Sequence, residues 1–155
     1  MGFFISIRPG RSGTFLNSQL AIWHAVEFES LVAGWIVGNL GQVLQTSDGG
    51  LRWDAVTIPA FDPRPTLYDV ESLSVGTAIV VGSSGTIIKT ADGGATWQVL
   101  NSRVQGPLYT VAFLSGNTGW AAGGLGDKIL YTSNGGASWA LQTAAGVRYI
   151  PHEAC

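Results

Sequence analysis

The sequence predicts an all-β protein made of four-stranded antiparallel β-propeller blades, with three repeats forming a partial propeller. Three observations carry this. First, one eight-residue phrase is written three times, as Thr46-Ser47-Asp48-Gly49-Gly50-Leu51-Arg52-Trp53, Thr90-Ala91-Asp92-Gly93-Gly94-Ala95-Thr96-Trp97 and Thr132-Ser133-Asn134-Gly135-Gly136-Ala137-Ser138-Trp139. Second, the likeness continues outside the phrase. Val26, Val70 and Val111 recur 44 and 41 residues apart, as do Trp35, Ile79 and Trp120, and Gly38, Gly82 and Gly123. Thr46, Thr90 and Thr132 recur 44 and 42 apart, which places one added residue near Asp127. A period of about 40–45 residues made of short strands is the pattern of one blade per repeat. Third, Ile79-Val80-Val81 and Ile87-Ile88 put apolar side chains on both faces of their strands. Sheets stacked face to face bury both faces, and a single repeat then cannot stand alone.

Taken in order, residues 1–21 read as an irregular segment, with a short strand over Phe3–Ile7 and a turn over Arg8–Gly13. That apolar run is too short for the core of a signal peptide or for a membrane span. Blade 1 is expected over residues 22–58, with a first strand around Val26, then Gly34–Gly38, Gln42–Thr46 and a fourth strand beginning at Trp53. Blade 2 covers 66–102, with strands around Val70, over Thr77–Gly82 and Thr86–Thr90, and from Trp97. Blade 3 covers 107–143, with strands around Val111, over Gly119–Gly123 and Lys128–Thr132, and from Trp139. Residues 144–155 form a tail or the start of a truncated fourth blade, because the spacing from Trp97 to Val111 places the next first strand at the end of the chain.

Each repeated phrase reads as a tight turn between two strands. Asp or Asn accepts bonds from backbone N–H groups two residues on, and the following Gly takes positive φ without strain. The tryptophan that follows is a large apolar body able to lock the turn onto the core. A phosphate loop would need Lys and Ser or Thr after its last Gly, and a helix-flanked calcium loop would need acids at alternate positions. The phrases have neither, so no cofactor or metal site is expected in them.

A net charge of −2, with eight Lys and Arg scattered singly, leaves no basic stripe for nucleic acid. The single Cys155 allows no disulfide framework. Candidate contact residues lie in two places. In propellers the first strand lines the central channel, so His24, Tyr68, Asp69 and Tyr109, from the aligned triplets His24-Ala25-Val26, Tyr68-Asp69-Val70 and Tyr109-Thr110-Val111, are placed to face a partner. The structural reading, which carries more weight, makes Tyr68 and Tyr109 packing rings and His24 a solvated channel residue. A glycosidase pair of carboxylates can also be drawn on these strands, for instance Asp69 with Glu27 or Glu71, although Glu71 lies two residues from Asp69 and shares its strand face. The second place is the proline-rich connection Pro59–Pro65, a rigid spacer or a protruding contact with Phe61 and Arg64 as anchors.

These motifs resemble the Asp-box, or BNR, repeat of sialidases and related propellers. The longer phrase, G-W-x-x-G followed by G-x-(I/V)-(I/L)-x-T-x-D-G-G-x-T-W, is most similar to the repeat of the photosystem II assembly and stability factor family and its bacterial relatives. The resemblance covers roughly residues 22 to 143. Asn134 replaces the acid in the third box, and Arg52 the usual hydroxyl in the first, so Thr46, Asp48, Thr90, Asp92 and Thr132 read as structural rather than catalytic. The resemblance implies a non-enzymatic scaffold for protein–protein interaction with a protein partner and no cofactor, and it favours a place outside the cytoplasm, although no export signal is visible. It also implies a second reading, a fragment of a carbohydrate-active Asp-box propeller of the sialidase or xyloglucanase kind. For the sialidase form, Arg8, Arg11, Arg52, Arg64, Arg103 and Arg148 supply no arginine triad that spacing can assign.

Three blades fall short of the four to eight that close a ring. The chain is then expected to be part of a larger propeller, or to associate with copies of itself through open blade faces on which Trp23, Trp35, Trp120 and Leu130 are partly exposed, or to have its open stack covered by something else.

Overall fold

The computed structural model describes residues 7–8, 21–124 and 128–142 of the 155. The expected strand over Phe3–Ile7 and the segments around Asp127 and 144–155 lie almost wholly outside the described residues. Thirteen strands are described, in three separate sheets. The first sheet has the order β1-β5-β4-β3-β2, with β1 Ile7–Arg8, β2 Trp23–Phe28, β3 Gly34–Gly38, β4 Val43–Thr46 and β5 Trp53–Val56. The second runs β6-β7-β8-β9 over Leu67–Ser74, Thr77–Gly82, Ile87–Thr90 and Gln98–Leu100. The third runs β10-β11-β12-β13 over Thr110–Phe113, Gly119–Gly123, Lys128–Thr132 and Ala140–Gln142. The four repeat strands of each sheet pair antiparallel, neighbour to neighbour, which is the wiring of a blade. Among the described residues, the first sheet alone gains a fifth strand, β1, which lies parallel to β5.

Two details differ from expectation. The fourth strand starts at the box tryptophan only in blade 1, whereas β9 and β13 begin one residue later, at Gln98 and Ala140. Trp97 and Trp139 thus belong to the loop. The box is accordingly not a two-residue hairpin turn but a longer loop that ends on an indole.

The alternation of side chains along β7 explains the continuous apolar run. Ala78 and Val80 point to one side, where they join Trp35, Val37, Val43, Leu67, Val70 and Ile88 in a core shared by blades 1 and 2. Ile79 and Val81 point to the other, joining Ile87, Leu100, Leu108, Val111, Ala121, Leu130 and Trp139 in a core shared by blades 2 and 3. Each core therefore lies between sheets. Trp35 and Leu130 are buried within these cores, at 0% and 1% exposure, and so do not belong to any open face. The reason is direction: Trp35 points from blade 1 toward blade 2, and Leu130 from blade 3 back toward it. Trp23 and Trp120 do remain partly exposed.

Candidate functional site

The three boxes share one hydrogen-bond plan. In the first, the Thr46 hydroxyl donates to Asp48 Oδ1 at 2.9 Å and accepts the Gly50 N–H at 2.9 Å, while Asp48 Oδ1 also accepts the Arg52 N–H at 2.9 Å. Thr90, Asp92, Gly94 and Thr96 repeat those three bonds, each at 2.9 Å. Thr132, Asn134, Gly136 and Ser138 repeat them at 2.9–3.0 Å. The central acceptor is one side-chain oxygen, which an amide supplies as well as a carboxylate. That is why Asn134 stands in for the acid, and its spare Nδ2 donates to Ser138 Oγ at 2.8 Å. All six box glycines take φ between 66° and 88°, the left-handed region that side chains resist.

Hydrogen bonds to the ionised form hold both box acids below the usual carboxylate range. The backbone N–H of Arg52 is the chief cause at Asp48, and the Thr96 side chain at Asp92. Every oxygen partner of these acids lies in its own turn. The box tryptophans act as apolar bodies. Trp53 meets Phe28 edge-on at 6.0 Å, Trp97 meets Trp35 at 5.6 Å, and Trp139 meets Phe113 at 6.0 Å. Among the described residues, the indole N–H groups of Trp97 and Trp139 meet no acceptor.

On the inner strands the structure brings three of the sequence-selected residues together. The rings of His24 and Tyr68 lie 5.4 Å apart edge-to-face, and those of Tyr68 and Tyr109 lie 4.9 Å apart. The three occupy one repeat position, so stacking the blades stacks the rings into a ladder. His24 and Tyr109 are exposed, and Tyr68, between them, is partly so. A register shift in the β2–β3 and β6–β7 pairing falls at His24 and Tyr68; such bulges re-aim a side chain out of the regular alternation.

Asp69, the fourth residue of that group, faces the next blade. Its Oδ2 accepts the Val111 N–H at 2.9 Å and the Thr110 hydroxyl at 3.1 Å. Glu71 does the same one step along, accepting the Phe113 N–H at 3.3 Å. These two carboxylates fasten β6 to β10. Glu27, on β2, has its pKa raised by burial first, and then by the negative charges of Glu71 and Asp69. Two further fasteners were not anticipated from the sequence. Glu29 Oε2 accepts the Gly76 N–H at 3.1 Å and the Trp35 indole N–H at 3.3 Å, and Lys89 Nζ donates to the Gly135 carbonyl at 2.7 Å. The available signal was the repeat offset itself. Asp69 lies 41 and 42 residues from its partners Thr110 and Val111, and residues one period apart sit on adjacent blades.

Around the proline-rich connection a cavity of about 260 Å³ opens between β4, β5 and the loop, with Phe61, Arg64, Gln42 and Ile58 among its walls. Phe61 turns inward and packs against the core between blades 1 and 2, so it anchors the loop rather than protruding from it. Arg64 is exposed at the cavity wall. Among the described residues, no group of three or more His, Cys, Asp or Glu is placed to hold a metal, and no helix is long and apolar enough to cross a membrane.

A family model described as the photosynthesis system II assembly factor YCF48 matches residues 16–98 and 56–144. The chain belongs to the YCF48 family. Its fold is correspondingly close to solved YCF48 structures. YCF48 bound to a D1 peptide superposes with a TM-score of 0.69 at 21% identity, covering 78% of this chain and 39% of that one. YCF48 from Cyanidioschyzon merolae gives 0.63 at 26% identity, covering 78% and 37%. An ancestral GH74 enzyme gives 0.60 at 17% identity, covering 76% and 18%, which is a likeness of fold. The chain thus spans less than two-fifths of the YCF48 chains it matches. No curated protein matches it significantly in sequence.

Proposed function

We propose that this YCF48-family chain is a non-enzymatic, protein-binding propeller module, and that a partner peptide lies across the ladder His24–Tyr68–Tyr109. The observation that carries this reading is how the inner strands use their chemistry. Asp69 and Glu71, the acids best placed for catalysis, are engaged by backbone N–H groups of the next blade. At the repeat position beside them, His24 and Tyr109 stay exposed with Tyr68 between them. Stacked rings with hydroxyl and imidazole edges offer rigid contact area at little entropic cost, the type of surface that anchors peptides. The related YCF48 structure that holds a D1 peptide supports a peptide as the kind of partner.

Calorimetric titration with a D1 peptide and a scrambled control tests this. The wild-type chain should bind the D1 peptide selectively, and Tyr109→Ala should weaken binding at least tenfold without lowering the melting temperature. Binding that is identical in wild type and Tyr109→Ala would overturn the ladder as the contact surface.

A second reading, a piece of a carbohydrate-active propeller, is favoured by Glu27, because burial and neighbouring carboxylates keep it protonated to higher pH than usual, as a general acid requires. Hydrolysis of a xyloglucan oligosaccharide by the wild-type chain, abolished in Glu27→Gln, would establish that reading in place of the first.

A further inference from the structure

Trp35, Ile79 and Trp120 occupy one position in three successive blades, and two of the three are covered in the same way. The glycine pair of the second box closes over Trp35 so tightly that a Cβ on Gly94 would stand 2.8 Å from Trp35 Cη2. Gly136 of the third box sits closer still to Ile79 Cδ1. The clasp is completed by Lys89, whose ammonium donates to the carbonyl of Gly135 in the arriving box. Each internal interface is therefore a turn docked into a socket on the preceding blade.

Among the described residues one socket and one turn are left over. Trp120 has no box against it; its indole leans on Tyr131 at 5.5 Å and donates to Gln142 Oε1 at 3.0 Å, both in its own blade. At the other end, the nearest side chains to Gly50 of the first box are Phe28 and Trp53 of its own blade, with room for a Cβ at 3.6 Å. The surroundings match as well. Ala122, Ile129 and Tyr131 beside Trp120 are all partly exposed. Val26 on the first blade is 58% exposed, where the corresponding Val70 and Val111 are 3% and 4%. Leu44 on that same blade is already covered, which confines the open part of blade 1 to its inner strand and box.

We propose that the vacant turn and the vacant socket fill one another between two copies of this chain. The first box of one copy docks on Trp120 of the next, with Gly50 over the indole. Tyr131, which stands one repeat after Lys89, donates its hydroxyl to the Gly49 carbonyl, as Lys89 does to Gly135. The contact is heterologous; its glycine-over-side-chain part repeats one that the chain makes twice within itself, and its bond to the box carbonyl one that it makes once. Two copies joined this way supply six blades, within the range that closes a ring.

Sedimentation velocity of the full chain over a hundredfold concentration range tests the proposal, with Trp120→Arg and Gly50→Asn as variants. Asn tolerates the left-handed backbone of Gly50 while its side chain blocks the approach. The wild type should move from one-chain to two-chain mass or higher, and either variant, folded by circular dichroism, should raise the dissociation constant at least tenfold. Mixing the two variants is the decisive arm. Trp120→Arg keeps a good turn and Gly50→Asn a good socket, so the mixture should recover a species of two chains and no larger. A wild type that stays monomeric throughout would overturn the proposal and place other residues of the protein over both faces. Variants that associate like wild type, or a mixture that recovers nothing, would also overturn it.

Discussion

In the second blade Ile79, Val80 and Val81 are all fully buried, whereas in the matching run of the third, Trp120, Ala121 and Ala122, only Ala121 is. The backbone pairing of the two strands is the same, each flanked by antiparallel neighbours in the same order. What differs is company: among the described residues, the second blade has a sheet on either side, and the third has one only on the side of Val111, Ala121 and Leu130. Burial in this molecule is thus decided by the neighbouring repeat more than by a residue's own identity. Stability should behave as a sum of blade contributions and interface contributions.

The sharpest way to break that comparison is to truncate one position in both blades. Ile79→Ala removes a side chain enclosed between two sheets and should destabilise the chain by about 3–4 kcal/mol, within the range for large core residues. Trp120→Ala, measured at a dilution where the chain is monomeric, should cost about 2–3 kcal/mol, less than truncating an enclosed tryptophan, because the side chain is only partly covered. Denaturant melts of the two variants decide it, and equal losses would show that the third blade is as enclosed as the second.

A smaller effect separates the boxes by their acceptors. Asp48 and Asp92 have pKa values lowered in the folded chain. Their contribution is therefore complete above the ordinary carboxylate pKa, and it is lost as pH falls through the lowered folded value. Asn134 makes the same bonds without titrating. Acid should consequently loosen the first two boxes and leave the third, as residue-resolved NMR between pH 6 and pH 2.5 would show at Gly50, Gly94 and Gly136. Asp92→Ala should lower the melting temperature at neutral pH through the lost turn bonds, while Asp92→Asn should lower it less and remove the acid sensitivity of its box.

Much of this fold was legible because it is local and repeated. The three boxes and the glycines at 38, 82 and 123 locate the second and third strands of each blade to within a residue. Less legible was anything that depends on which way a side chain points between sheets. Trp35 and Trp120 occupy the same repeat position, yet Trp35 is covered by Gly94 of the following blade and Trp120, among the described residues, is not so covered. Phe61 belongs to a loop by its prolines and to a core by its packing. At the inner strands the repeat alignment groups four residues, and the structure divides them. His24, Tyr68 and Tyr109 do meet, whereas Asp69 turns aside to bind the next blade's backbone, a bond that no pattern within a single repeat encodes.

Hydrogen exchange read by mass spectrometry tests most directly whether neighbours decide the stability of each blade. At the lowest workable concentration, the amides of β7 and β8 should exchange slowest, and those of β11 and β12 faster by tenfold or more. Raising the concentration should slow the first and third blades while leaving the second unchanged. Protection that is uniform across the three blades at every concentration would contradict the account, because it would mean that the terminal blades are as fully covered as the middle one.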